Sequence, residues 1–389
     1  MSARIALRIL CAVAVALSPA RAVDALVEHV RAHRDGRAAW SIDFDALGGD
    51  RAKLPVGVFD SGIGGLTVMD AILRLDAFNN DSLRPGADGR ADFAGERFIY
   101  LGDQANMPYG NYAAQGREAF LRELIVKDAV FLLGTRWRAA AAGAPRFDKP
   151  PVKAIVIACN TATAYGIDDI RSALRAWKLD VPVIGVIEAG ARATAASLPD
   201  DGKPRAIGVL ATVGTCATGA YPKAIARAMG QAGKSAPVVV QQGSADLAAT
   251  IERGEPKAVS DCARADVAAL VGKHSGPPIE TVVLGCTHFP LAETELAAAF
   301  KAAALDGVRF INPADATARE LFRELALGRL REKGDAPPAA QFFLSVPNPR
   351  LPSDEPTVVV PLTAKTLPES SAKLVQSLPA VWRQMEATP

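Results

Sequence analysis

The sequence predicts an α/β fold of two doubly wound lobes, each with a mainly parallel sheet, and a cleft between them. Three observations lead to this fold class. Short apolar runs recur along the chain, apolar residues at helical spacing fill the segments between them, and most runs end in a small polar cluster. Strands and helices alternating in this way are typical of doubly wound sheets, whose ligands bind beyond the carboxyl ends of the strands.

Composition excludes several other classes of protein. The 389 residues are 49% hydrophobic and 22% charged, with a net charge of +2. These values are typical of a globular protein and argue against a disordered or fibrous one. No basic block is interleaved with aromatic residues, so we expect a small-molecule substrate and no nucleic-acid partner. Five cysteines are too few for a disulfide framework.

Residues 1–22 are typical of a secretory signal peptide. Arg4 and Arg8 precede an apolar run over residues 9–17, and an Ala-x-Ala pattern ends at Ala22. We therefore expect a periplasmic or secreted protein; the alternative is a cytoplasmic protein with an amphipathic amino-terminal helix. The run is about half the ~20 residues that cross a bilayer, so no stable membrane anchor is expected.

The sequence divides into predicted helices, predicted strands and stretches that show neither pattern. Helices are indicated by apolar spacing such as Leu66, Met69 and Leu73. Residues 23–53 lack sustained periodicity and are interpreted as a linker or peripheral segment. The predicted strands cover residues 56–59, 98–101, 154–158, 181–187, 206–210, 238–240, 281–284 and 308–311. The stretches that interrupt this rhythm are predicted to be surface insertions: 78–96, 136–149 and the Pro-rich stretch beyond Gly334.

Two cysteine-containing turns repeat one design at the ends of predicted strands: Ala-Cys-Asn-Thr at 158–161 and Gly-Cys-Thr-His at 285–288. Such neighbours can favour the reactive thiolate. A zinc site is not favoured, because the spacing of a structural site is missing. A Cys-His hydrolase could use Cys286 and His288 but leaves Cys159 unexplained. Two similar thiols suit the removal of a proton from one face of a carbon and its return to the other, as in a racemase.

A glycine-rich turn follows the first predicted strand at residues 62–65, directly after Asp60 and Ser61. Glycine allows close approach of the backbone to a ligand, and the amides of a following helix favour an anion. The spacing does not match a dinucleotide-binding fingerprint, so no nucleotide cofactor is expected.

Together these motifs closely resemble glutamate racemase, of the aspartate/glutamate racemase superfamily. The resemblance covers residues 54 to about 325. It implies the aspartate/glutamate racemase-like fold and a cofactor-independent isomerase that interconverts L- and D-glutamate, supplying D-glutamate for the peptidoglycan of the cell wall. The motifs that carry it are VGVFDSGIGGL at 56–66, GD at 102–103, PYG at 108–110, ACNTA at 158–162, VIGVI at 183–187 and GCTHFPL at 285–291.

The resemblance also implies roles for individual residues. Cys159 would take the α-proton from D-glutamate and Cys286 from L-glutamate, assisted by Asp60 and His288 respectively. Glu252 resembles the additional acidic residue of the family. No metal is implied. The substrate contacts would be Asp60, Ser61, Tyr109, Gly110, Asn160, Thr161, Thr212, Thr287 and His288.

The family pattern places one lobe at residues 54–187 plus 308–370 and the other at 188–307, followed by a tail at 371–389. The sequence leaves a homodimer open. It departs from the pattern at 243–247, Asn106 and 312–313, and these departures bear on glutamate selectivity. The competing hypotheses are a racemase of aspartate or a related acid, and a non-catalytic periplasmic amino-acid-binding protein.

Overall fold

The computed structural model describes residues 19–201, 203–350, 352, 355–367 and 369–387. Most of the predicted signal peptide, residues 1–18, lies outside this range. The described chain is α/β, and two main sheets of mainly parallel strands carry the fold. This confirms the predicted fold class.

The first sheet has six strands in the order β12-β11-β2-β1-β5-β6. Its central strands are apolar runs buried on both faces, as expected for a sheet covered by helices. All neighbours are parallel except β11 and β12. The strands are β1 (Val56–Asp60), β2 (Arg97–Gly102), β5 (Ala154–Ile157), β6 (Val183–Gly185), β11 (Ala339–Pro347) and β12 (Thr357–Pro361).

The second sheet has four parallel strands in the order β10-β9-β7-β8. They are β7 (Ala206–Thr212), β8 (Val238–Ser244), β9 (Ile279–Gly285) and β10 (Arg309–Ile311). A short antiparallel pair, β3 (Trp137–Arg138) and β4 (Pro145–Arg146), stands apart from both sheets. The lobe boundary predicted at residue 308 is therefore wrong by one strand, because β10 pairs with β9 and not with the first sheet.

The helices cover the sheets and connect their parallel strands. The predicted strand 181–187 stops at Gly185, where the chain turns into a helix. The helices are α1 (Pro19–Ala32), α2 (Leu66–Arg74), α3 (Glu118–Leu133), α4 (Asn160–Trp177), α5 (Val186–Ser197), α6 (Val213–Ala217), α7 (Ala220–Gln231), α8 (Leu247–Glu252), α9 (Pro256–Gly272), α10 (Glu293–Ala302), α11 (Pro313–Leu327), α12 (Glu369–Gln376) and α13 (Pro379–Glu386).

The segment beyond Gly334 is part of the core, and its interpretation as a surface insertion was wrong. Strand β11 pairs with β2 along six residues, and its Phe342 and Phe343 are buried. The predicted tail also packs: Asp70 on α2 accepts hydrogen bonds from the first backbone amides of α13, Ala380 N at 2.8 Å and Val381 N at 3.3 Å. The carboxylate thereby satisfies two free donors of a helix amino terminus.

The two other predicted insertions are anchored as well. Phe78 and Phe93 from the first of them are buried against Phe322 of α11. In the second, Arg138 donates to Glu355 at 2.8 Å and joins the β3–β4 pair to the chain just before β12. These contacts explain why neither segment is a free surface loop.

The amino-terminal segment includes a packed helix. Val23, Leu26, Val27 and Val30 of α1 are buried, and Trp177 of α4 donates its indole N–H to Val27 O at 3.1 Å. Within the described residues, no helix combines the length and hydropathy that crossing a bilayer requires.

Truncation of Phe343 tests whether β11 belongs to the core. Its ring packs against Phe131 and Trp137 with centroids 5.6 and 5.7 Å apart. We expect Phe343→Ala to lower the free energy of unfolding by about 3–5 kcal/mol, because a large buried side chain is lost. Urea denaturation would measure this. Leu327→Ala, at a side chain 80% exposed, should change stability by less than about 0.5 kcal/mol; equal effects would show that β11 does not belong to the core.

Candidate active site

The carboxyl ends of strands from both sheets meet at one place. Asp60 ends β1, Cys159 follows β5, Thr212 ends β7 and Cys286 follows β9. Hydrogen bonds cross between the lobes here: Thr67 Oγ1 of α2 donates to Thr287 O at 3.1 Å. The structure therefore brings the two cysteine turns and the glycine-rich turn together, as the positions of the strand ends predict.

Cys159 is the amino-terminal cap of α4. Its Sγ accepts from Ala162 N at 3.3 Å and donates to Ser61 Oγ at 3.7 Å. Only 5% of the residue is exposed. Asp60 lies beside it, and Asp60 Oδ2 accepts from Gly62 N at 3.0 Å. The first thiol thus sits in a water-poor site next to a carboxyl group.

Both of these groups are shifted toward their neutral forms. Burial raises the pKa of the Cys159 thiol well above its usual range, and the negative charge of Asp60 adds to this. Burial also raises the pKa of Asp60, although the nearby His288 charge and the Gly62 amide oppose it. Cys159 is therefore held as a thiol that can give up a proton.

The second thiol has a different partner. Cys286 is buried, and its Sγ lies 3.8 Å from His288 Nδ1. On the other side of the ring, His288 Nε2 lies 3.3 Å from Glu252 Oε2 at the end of α8. This contact has the distance of an ion pair but not the alignment of a hydrogen bond. Three of the predicted catalytic residues, Cys286, His288 and Glu252, thus form a row with the imidazole in the middle.

The row stabilises positive charge on the imidazole. Burial alone would lower the pKa of His288, but the contacts with Cys286 and Glu252 outweigh it and raise the pKa to about 10. The folded protein therefore binds this proton more tightly than the unfolded chain. The resulting stabilisation is complete below about pH 6.5 and is lost as the pH rises toward 10.

The glycine-rich turn fits between the two thiol sites. A Cβ at Gly64 would overlap the His288 ring and come within 2.7 Å of Thr287 Oγ1. A Cβ at Gly65 would overlap Asp60 and approach Tyr100 Oη at 3.0 Å. Glycine is required here because the two lobes approach each other across the turn.

Hydroxyl groups line the site between α4 and the second sheet. Thr161 Oγ1 lies 3.3 Å from Thr212 Oγ1 and 3.1 Å from Thr215 Oγ1. Asn160 Oδ1 accepts from Tyr221 Oη at 2.6 Å. The predicted contacts Asn160, Thr161 and Thr212 therefore lie together, whereas the sequence analysis missed Thr215 and Tyr221. Their only sequence signal is position, since both follow the end of β7 closely.

Tyr109 and Gly110 lie in the loop after β2 and occupy different environments. Gly110 reaches the second lobe, where a Cβ would come within 3.3 Å of Thr212 Oγ1. The Tyr109 hydroxyl instead points to two buried carboxyls, Asp103 at 2.6 Å and Asp128 at 2.8 Å. The prediction of a substrate contact thus fits Gly110, while the hydroxyl of Tyr109 has other partners.

Two buried polar atoms of the site have no hydrogen-bond partner among the described residues: Asp60 Oδ1, beside Cys159, and His288 Nε2, which faces Glu252. The unpaired Asp60 Oδ1 can accept from a small polar ligand, since unpaired buried polar atoms cost free energy. The site therefore holds two thiols, each with its own titratable partner.

Comparison with known proteins identifies racemases as relatives by family model, by sequence and by structure. The family model described as Asp/Glu/Hydantoin racemase matches residues 133–321. A glutamate racemase of Thermus thermophilus is 33% identical over 287 residues, which is 72% of this chain and 84% of that protein. The crystal structure of a glutamate racemase from Bacillus anthracis aligns with a TM-score of 0.55 and 29% identity, covering 75% of this chain and 89% of that one. The D-glutamate complex from Francisella tularensis, at 22% identity and a TM-score of 0.59, covers 86% of this chain and 96% of its own and agrees in fold.

Removal of the Glu252 charge should lower the pKa of His288. In Glu252→Gln, one of the two contacts that counteract the effect of burial on the ring is lost. We therefore expect the pKa of His288 to decrease by at least about one pH unit, as measured from ring ¹⁵N chemical shifts over a pH series. Glu293→Gln changes an exposed carboxylate of α10 and should leave the pKa unchanged. The same His288 pKa in both variants would mean that Glu252 does not stabilise the imidazolium.

Proposed function

The chain belongs to the glutamate racemase family, and we propose that it interconverts L-glutamate and D-glutamate without a cofactor. It is an isomerase by this family membership. Its D-glutamate would serve peptidoglycan synthesis in the cell wall, as the family resemblance implies. The single observation that supports the chemistry most strongly is the different environment of the two thiols at one site.

The two thiols are prepared for opposite tasks. Cys159 is kept protonated by burial beside Asp60, so it can act as the acid. The imidazolium of His288 lies beside Cys286, so we assign Cys286 the role of the base. An acid and a base on opposite sides of one carbon are what inversion of that carbon requires.

The proton balance closes without another reactant. When L-glutamate reacts, the Cα–H bond breaks, its proton goes to the Cys286 thiolate and its electron pair stays on the α-carbon. The carbon then takes the Cys159 proton on its other face, which leaves a Cys159 thiolate. D-Glutamate reacts by the same steps in reverse, with the roles of the thiols exchanged.

Substrate binding would use the polar groups around the thiols. The amide end of α4 and the hydroxyls of Thr161 and Thr212 suit a carboxylate, because they supply donors and a favourable helix dipole. The Asp60 carboxyl group suits the α-ammonium. Ser61, Asn160 and Thr287 would complete these contacts, and their donors would stabilise the charge that develops in the transition state.

The other hypotheses fit less well. A hydrolase would use Cys286 and His288 and give no role to Cys159 and Asp60, which lie at the same site. A non-catalytic binding protein is not favoured by the relatives, which are named as racemases. Aspartate or a related acid remains the second candidate substrate, because the sequence departs from the family at Asn106 and at residues 243–247.

Single replacement of either thiol should stop racemisation. In deuterium oxide, wild-type enzyme should convert L-glutamate to D-glutamate that carries deuterium at the α-carbon. We expect Cys159→Ser and Cys286→Ser each to lower kcat by at least about 10²–10⁴-fold, because a positioned acid or base is lost. Chiral chromatography with mass spectrometry would measure both products and label.

Cys262→Ser is the matched control, since this cysteine of α9 is outside the predicted catalytic and substrate-contact residues, and it should retain wild-type kcat. Absence of exchange from both enantiomers with wild-type enzyme would reject glutamate as the substrate. The same assay with L- and D-aspartate then tests the second candidate. If Cys159→Ser alone kept full activity, the two-thiol mechanism would be wrong.

We also propose that the protein is exported, with the charged, apolar and small-residue pattern of residues 1–22 as support. Cleavage after Ala22 would keep Val23, Leu26, Val27 and Val30, which dock α1 onto the fold. We expect intact-mass measurement of the protein from fractionated cells to give a periplasmic or secreted chain that begins at Val23. A cytoplasmic chain that retains Met1 would contradict export. Homodimerisation stays a prediction, which light scattering would test.

A further inference from the structure

A buried hydrogen-bond network supports the loop between β2 and α3. Tyr109 Oη lies 2.6 Å from Asp103 Oδ2 and 2.8 Å from Asp128 Oδ2. Asp103, Tyr109 and Asp128 are only 3%, 1% and 4% exposed. Nothing in the predicted catalytic set includes Asp103 or Asp128, and both lie on elements of the first lobe.

The number of protons restricts the charges in this network. A tyrosine hydroxyl has one proton and can donate to only one of the two carboxyl groups. At these distances the second carboxyl group must itself be protonated and donate to the tyrosine oxygen, because two facing acceptors would repel each other. One of the two aspartates is therefore a neutral carboxylic acid.

The remaining contacts identify which one. Asp103 accepts from Ser345 Oγ at 2.6 Å and from Asn106 Nδ2 at 2.9 and 3.0 Å, in addition to Tyr109. Asp128 has Tyr109 as its hydrogen-bond partner and no other side-chain donor among the contacts of the described residues. Several donors stabilise an ionised carboxylate, so Asp103 carries the charge and Asp128 the proton.

The loop held by this network forms a wall of the site. Gly110 follows Tyr109 directly and packs against the second lobe: a Cβ at Gly214 would come within 2.6 Å of Gly110 O. We infer that Asp128 is a positioning residue, whose neutral acid donates to Tyr109, which donates to ionised Asp103, so that the Tyr109–Gly110 wall is fixed against the glutamate cleft. The inference rests on the proposed function for its substrate.

The surroundings of both carboxyl groups agree with this assignment. Burial raises the pKa of Asp103, but hydrogen bonds from Ser345, Tyr109 and Asn106 oppose this rise. Burial and the negative charge of Asp103 raise the pKa of Asp128 well above its usual range; Asp60 adds to this, while Tyr109 and Lys127 oppose it. The unfolded chain would lose this proton near pH 3.8 and the folded protein would keep it. The contribution of Asp128 to stability therefore decreases as the pH rises above that value.

Substitutions at the two aspartates distinguish the neutral acid from the ionised carboxylate. An asparagine at position 128 can donate to Tyr109 as the neutral acid does, so Asp128→Asn should keep KM within about twofold of wild type. Asp128→Ala and Asp103→Asn should each raise KM by roughly tenfold or more, because a buried donor or the charged acceptor is lost. The exposed Asp168 on α4 provides a matched control, since Asp168→Asn should have no effect.

Unfolding in urea across a pH series, without substrate, is the second readout. Asp128→Asn should remove the contribution of Asp128 to the pH dependence above pH 3.8 and leave that of His288 in place, and Asp168→Asn should remove neither. If wild-type enzyme does not turn over glutamate but this change is observed, the proposed function fails and the proton assignment stands. If glutamate is turned over but Asp128→Asn raises KM like Asp128→Ala, or leaves the pH dependence unchanged, the inference is overturned.

Discussion

The close approach of the glycine-rich turn to the Cys286 turn is the constraint on which the site depends. Gly64 leaves no room for a Cβ beside His288 and Thr287, and Thr67 closes the contact by donating to Thr287 O. These contacts place a residue of the first sheet and a residue of the second within one small volume. Without them, the two cysteine turns, which follow strands of different sheets, would not be held at one site.

Different neighbours, acting in the absence of water, make the two thiols chemically different. Both sulfurs are buried, yet one lies beside a carboxyl group and the other beside an imidazole between a thiol and a carboxylate. In a medium of low dielectric constant, such neighbours act more strongly than they would in water. A nearly symmetric backbone design therefore places the two thiols in different electrostatic environments.

Much of the fold and of the site could be predicted from local patterns. Apolar runs identified every strand of the second sheet and β1, β2, β5 and β6 of the first, because buried parallel strands have few polar residues. Strands β11 and β12 were missed because they lie in a proline-rich stretch, and their pairing with β2 and with each other defines them. The contacts of Thr215, of Tyr221 and of Tyr109 with Asp128 could not be predicted, because they depend on distances between elements. Asp128 gave one local signal, a carboxylate within the apolar stretch 124–133 of α3.

The contact between Ser345 and the loop after β2 joins two segments that are synthesised at different times during translation. Ala105 N donates to Ser345 Oγ, and the two residues are 240 positions apart. During synthesis on the ribosome, the loop and both cysteines emerge long before the strand that supports them. The nascent chain thus carries the reactive groups before the strand that supports their loop, and this support is assembled only when translation is almost finished.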